Sequence, residues 1–164
     1  MVKAVIRWAL ISLVILFLAL QAVPYGRRHT NPPIRREPPW DNPQTRALAV
    51  RACYDCHSNE TVWPWYSHIA PVSWLIQRDV DEGRKDLNVS EWDRSQPEAH
   101  ESAETVRKGE MPPLRFVLLH PQAFLSSAER QAFIEGLEAT FGREEGNAKE
   151  DENHEKEENR NPTR

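Results

Sequence analysis

Residues Ala4 to Val23 read AVIRWALISLVILFLALQAV, and this run limits what the rest of the chain has available for folding. The twenty residues are mostly Leu, Ile, Val, Ala and Phe. As a helix rising ~1.5 Å per residue they span ~30 Å, the thickness of a bilayer's hydrocarbon layer. Lys3 and Arg7 precede the most apolar part, and Arg7 sits early enough to reach back to the head groups. A secretory signal peptide has a similar profile but needs small residues around a cleavage point. The triplets FLA and LQA each put a large residue near the cut. Residues 1–24 are therefore read as an uncleaved transmembrane anchor rather than a signal segment that is removed.

Two further segments lie outside any core. Residues 25–41 hold Pro32, Pro33, Pro38 and Pro39 with four arginines and few apolar residues. Such a composition favours extended polyproline geometry, so this linker is expected to be a solvated, semi-rigid stalk, contact of its arginines with anionic head groups being the second reading. Residues 143–164 contain no large apolar residue. They cannot bury enough surface to offset chain entropy, and are expected to be a disordered charged tail in which His154 has no special part. The formal net charge of -4 owes much to this tail, and no nucleic-acid partner is read from it. The remaining 42–142 segment is small for an unaided core, and a bound cofactor would help it hold together.

Within that segment the regular signals are helical. Asn42 followed by Pro43 suits an N-cap with proline in the first turn. The sequence after it can run as one helix through Leu48, Ala52 and Cys56, which are spaced four apart. Val72, Leu75, Ile76 and Val80 form an amphipathic stripe on a second helix, which Gly83 is expected to end. Pro97 to Gly109 reads as a third helix with proline near its start and glycine at its end. Ser126 and Glu129 make a capping-box pattern ahead of Phe133, Ile134, Leu137 and Phe141, with Gly142 closing the fourth helix. No alternating strand is present; Arg115 to His120 is a short apolar run expected as a loop or short helix on the core. The fold class is all-α, a small helical domain behind one transmembrane helix.

Cys53 and Cys56 are the only cysteines, and His57 follows the second directly. Structural zinc needs four ligands, usually as two pairs, and there is no second CxxC or short-spaced His pair. A thioredoxin-like dithiol needs a helix start after a strand in an α/β fold, which the helical setting lacks. A chance or simple disulfide pair leaves the adjacent His57 and the export segment unexplained. C-x-x-C-H reads as c-type haem attachment. Two thioethers anchor one edge of the macrocycle, and on a helical turn the next imidazole reaches the iron. Such attachment joins reduced cysteines to haem outside the cytoplasm in bacteria, so the domain is expected on the periplasmic side of the inner membrane. Charge alone pulls the other way, because Arg27, Arg28, Arg35 and Arg36 follow the anchor.

Haem iron in an electron carrier is often held by His and Met. Apart from the initiator, Met111 is the one methionine, in KGEMPPLRF, where two prolines stiffen the loop after it. His57 is thus the expected proximal ligand and Met111 the distal one, with His68 and His120 as rivals for the second place. Trp63, Trp65, Tyr66 and Trp74 are expected as apolar walls of the haem pocket, where burial helps set the potential.

CYDCHSNETVWPWYSHIAPVSWLIQRDVDEGRKDLNVSEW followed by GEMPPLRFVLLHPQAFLSSAERQAFIEGL resembles the bacterial haem-binding domain family, small monohaem relatives of cytochrome c. The likeness runs from about Asn42 to Leu137. CxxCH is common to all c-type cytochromes, whereas SNET.WPWYS..APVSW is far more specific. The resemblance implies a cytochrome c-like fold, one covalent haem on Cys53 and Cys56, His57 as proximal ligand and Met111 as distal ligand. The expected function is a membrane-tethered periplasmic electron carrier, with redox partners left open. The alternative is a haem sensor or peroxidase-like enzyme in which Met111 leaves the iron and His68 or His120 serves as acid–base group.

Overall fold

Gln21 ends α1 (Val2–Gln21), a helix long and apolar enough to cross a membrane and with none of its residues buried. A computed structural model describes residues 1–142, and among these the chain is mostly helical with no strand. The charged tail expected to be disordered lies outside the described residues.

Asn42 caps α2 (Pro43–Ala52) as its chemistry requires, with Oδ1 accepting from the Gln44 and Thr45 amides at 2.8 and 3.0 Å. The helix does not run on through the cysteines. It breaks at Cys53 (φ −125°), and Tyr54–His57 forms a separate turn, α3. A 3-10 turn, Trp65–His68, leads to α4 (Val72–Asp86). Gly83 does not end α4 but lies inside it. The expected third helix is shorter than its signals: a 3-10 turn at Ala99–Glu101 precedes α5 (Ser102–Lys108), and Gly109 closes it at φ +75°. The run after the prolines is a short helix, α6 (Leu114–Leu119), yet Leu114, Leu118 and Leu119 are exposed rather than packed on the core. The last helix is α7 (Ser127–Phe141).

The core forms where α7 meets α2 and α5. Phe133, Ile134 and Leu137 pack against Leu48, Ala49 and Ala52 from one side and Ala103 and Val106 from the other. Gly136 lets α7 approach α2 closely, since a Cβ there would lie 2.0 Å from the Thr45 hydroxyl. The α4 stripe turns out differently from its period. Ser73, Val80 and Gly83 face inward, while Val72 and Leu75 stay on the surface. The neighbours of α4 are α3 and the Trp65–His68 turn. They demand small residues at the contact, and this overrides the apolar pattern.

The capping box at Ser126 is complete: its amide donates to Glu129 Oε2 at 2.9 Å and its hydroxyl accepts from the Glu129 amide at 3.3 Å. The Ser126 amide, followed by the Arg51 guanidinium at 2.7 Å, holds the Glu129 carboxyl down to about 2. A depressed carboxylate gives stability that is complete above its ordinary value of 4.5 and is lost as pH falls through about 2. Glu129→Gln is expected to flatten the acid limb of Tm against pH, and a limb equally steep in the variant would contradict this.

The 25–41 segment is not a free stalk. Gly26 is buried at φ +74°, where a Cβ would come within 2.3 Å of the Ser73 carbonyl oxygen. The Arg35 and Arg36 amides donate to the Ser90 carbonyl at 2.9 and 3.1 Å, and the Trp92 amide donates to the Arg36 carbonyl at 2.9 Å. Trp40 packs on the core beside Phe141. The reason is backbone accounting: an extended proline-rich strip and the irregular 88–92 loop each carry unpaired amides and carbonyls, and each satisfies the other.

Candidate functional site

A cleft of about 220 Å³ opens between the α2–α3 junction, the end of α4 and α5. Ala52, Cys53, Leu87, Val106 and Leu137 give it apolar walls, and both His57 and Met111 line it. Asp86, Glu98, Glu101, Ser102 and Thr105 add a polar side.

His57 is held by the helix it packs on. Its Nδ1 lies 2.9 Å from the Gly83 carbonyl oxygen and 3.1 Å from that of Leu87. Two acceptors at one ring nitrogen require that nitrogen to carry the proton. Burial pushes the imidazole pKa down, against the opposing pull of those two carbonyls, so the neutral ring is favoured. In the neutral Nδ1–H tautomer the lone pair is on Nε2, which takes no hydrogen bond among the described residues. A backbone acceptor fixing the far nitrogen of a ligating histidine is the usual support of a metal-bound imidazole.

Gly83 makes this geometry possible. A Cβ there would lie 2.6 Å from the Cys56 carbonyl oxygen and 3.0 Å from its carbon. Only glycine lets α3 sit that close to α4, and the same residue supplies the carbonyl that His57 uses. The two thiols are unpaired and partly buried. Burial pushes both up to about 12, helped at Cys53 by Cys56 and at Cys56 by Asp79 and Asp55. They are neutral thiols at physiological pH. Among the described residues no three His, Cys, Asp or Glu side chains gather as a metal-ion site, and neutral thiols are compatible with thioether anchors.

Met111 arrives from the other direction. Gly109 in the left-handed region reverses the chain after α5, and the Glu110 and Met111 amides both donate to the Thr105 carbonyl at 3.0 and 3.3 Å. This turn lays Met111 against the core and the cleft. Cys53, a neutral imidazole and a thioether share this cleft, a donor set that fits a haem; Cys56 is on the same turn as His57 but does not line the cleft.

The rival ligands and the aromatic wall do not come to this cleft. His68 is exposed and meets His29 edge-on at 4.3 Å. His120 stacks on Phe116, and its Nε2 lies 3.1 Å from the Tyr66 hydroxyl. Trp63 stacks on His29 at 4.4 Å and donates Nε1 to Asn31. Trp65 is 75% exposed, and Trp74 faces Val23 and Tyr25 just past the end of α1. The linker that the sequence reading set aside as a stalk supplies His29 and Asn31, and so draws these rings away from the expected pocket.

What the SNET stretch does is different. Asn59 takes a hydrogen bond from Asn88 Nδ2 at 2.9 Å, and its amide donates to Ser90 Oγ at 3.0 Å. The Val89 amide donates to the His57 carbonyl at 2.9 Å. Arg84 forks to the Ser58 carbonyl, the Thr30 carbonyl, Asn31 and Thr61, all within 2.8–2.9 Å. The buried network ties the cysteine turn to α4 and to the linker. Sequence reasoning missed Gly83 and Arg84 as site-builders; a glycine inside a helical pattern was the available signal of close backbone approach.

A family model described as haem-binding domain matches residues 15–139, which is most of the chain, so the chain belongs to that family. The match takes in the linker and the end of α1 as well as the helical domain. No curated protein and no solved structure matches the chain.

Proposed function

We propose that this member of the haem-binding domain family is a membrane-anchored electron carrier bearing one haem c, joined through Cys53 and Cys56 and ligated by His57 and Met111. The observation that carries the reading is that His57 and Met111, on separate elements, line one apolar cleft beside Cys53. When bound, the haem supplies a one-electron ferric–ferrous couple. The chain's residues do the rest. The Gly83 and Leu87 carbonyls keep the proton of His57 on Nδ1 and orient the ring. Leu87, Val106 and Leu137 exclude water, and the turn at Gly109 seats the Met111 thioether. The domain faces the periplasm with the N-terminus inside, because haem attachment to cysteines occurs outside the cytoplasm in bacteria and α1 is the export device. The sensor or peroxidase reading looked to His68 or His120 as acid–base group, and neither lines the cleft; the carboxylates that do are Asp86, Glu98 and Glu101.

Expression with the haem-attachment machinery tests this. The haem is expected to stay with the protein through acid–acetone extraction, at one per chain by pyridine haemochrome. Cys53→Ser combined with Cys56→Ser is expected to release it. Haem extractable from the wild-type chain would refute covalent attachment.

A further inference from the structure

The joint between α1 and the domain is ordered rather than loose. Gln21 Nε2 donates to the Ala70 carbonyl at 2.9 Å, and the Ala70 amide donates back to Gln21 Oε1 at 3.1 Å. Ala70 is fully buried, so this clasp is tied into the domain. Five residues further on, Gly26 sits on the Ser73 carbonyl, and His29 bonds the Ser67 carbonyl at 3.1 Å. The last turn of α1 is therefore fixed to the start of α4.

This joint leaves an apolar face beside it. Val23, Tyr25, Trp74, Leu75 and Arg78 line a shallow groove, and Leu75 and neighbouring Val72 are 45% and 41% exposed. These are the apolar residues of the α4 stripe that the core does not take. Arg27, bonded to the Gln21 carbonyl, and Arg28 follow Tyr25 closely in sequence, while Arg78 lines the groove and pairs with Glu82. Aromatic rings, aliphatic side chains and arginines at the end of a membrane-length helix make up the composition of the head-group layer.

We propose that the groove of Val23, Tyr25, Trp74 and Leu75, with Arg78 at its edge and Arg27 two residues past Tyr25, docks on the head-group surface of an anionic phospholipid bilayer. The domain is then held at one orientation to the membrane instead of swinging on a tether. This rests on the anchoring reading of α1. The bilayer is the occupant because the groove is continuous with α1 through Val23, Tyr25 and the Gln21–Ala70 clasp, and Arg27, Arg28 and Arg78 bring more positive charge to this stretch than the one carboxylate, Glu82, that pairs with Arg78.

The tryptophans provide the test. The full haem-loaded chain is labelled with 5-fluorotryptophan and placed in phosphatidylglycerol–phosphatidylcholine nanodiscs with or without a nitroxide on the lipid head group. Trp8 lies in α1, Trp74 in the groove, and Trp40 and Trp92 pack on Phe141 at the end of α7. Trp→Phe variants assign the fluorine signals. The nitroxide is expected to broaden Trp74 strongly and leave Trp40 and Trp92 sharp. The Trp74 effect is expected to weaken in phosphatidylcholine alone and in Arg27→Gln with Arg78→Gln. Gln21→Ala is expected to lose most of the Trp74 broadening and keep that of Trp8. If Trp8 broadens while Trp74 stays as sharp as Trp40, anchoring stands and the docking is wrong. If Trp8 is untouched as well, the anchoring reading has failed and the docking with it.

Discussion

Phe133→Ala is expected to lose about 3–5 kcal/mol of folding stability, the usual cost of truncating a fully buried aromatic side chain. Phe133 has no exposed surface and sits where α2, α5 and α7 meet. A domain of this kind has about 5–15 kcal/mol to lose. The cavity opens directly behind Ala52, Val106 and Leu137, which are core residues and cleft walls at once. Urea unfolding should show a lower midpoint at an unchanged slope. A midpoint within experimental error of wild type would mean that the α2–α5–α7 contact is not the core.

Gly83→Val is expected to disable the site more than the fold. A branched side chain at this position meets the backbone of Cys56, which cannot swing aside as a flexible side chain would. Overpacking of this sort costs about 1–3 kcal/mol. The small gain in helix propensity on replacing glycine, a few tenths of a kcal/mol for valine, does not offset it. The displacement lands on the residue next to His57 and on the carbonyl that His57 Nδ1 uses. Covalent haem yield should fall well below that of Phe133→Ala material compared at equal folded fraction. Equal yields in the two variants would show that the α3–α4 approach does not position the ligands.

These two positions also show how much the sequence made legible. Phe133 was readable because the capping box at Ser126 fixes the start of α7, and its 3.6-residue period then assigns the buried face. Cys53, His57 and Met111 stood out because their chemistry is scarce in the chain, and the fold brings these three to one cleft. Gly83 was read as a helix end, since the signals for a stop and for a close approach are the same residue. The two differ only in what lies opposite, and that is a tertiary fact. The aromatic loop was misassigned for a similar reason. Trp63 and Tyr66 could line a haem or bond other partners, and His29, Asn31 and His120 decide the matter from far along the chain. The linker misled most, because prolines and arginines describe a solvated stalk equally well as a strip that satisfies a loop's backbone.

The central claim is that one covalently attached haem is held between His57 and Met111. Its most direct measurement is the visible and near-infrared absorption of the oxidised protein beside Met111→Ala. The wild-type chain is expected to show the far-red Met–iron charge-transfer band, and Met111→Ala is expected to lose that band while keeping its covalent haem. A band that persists in Met111→Ala, or a wild-type protein that never shows it, would contradict the claim.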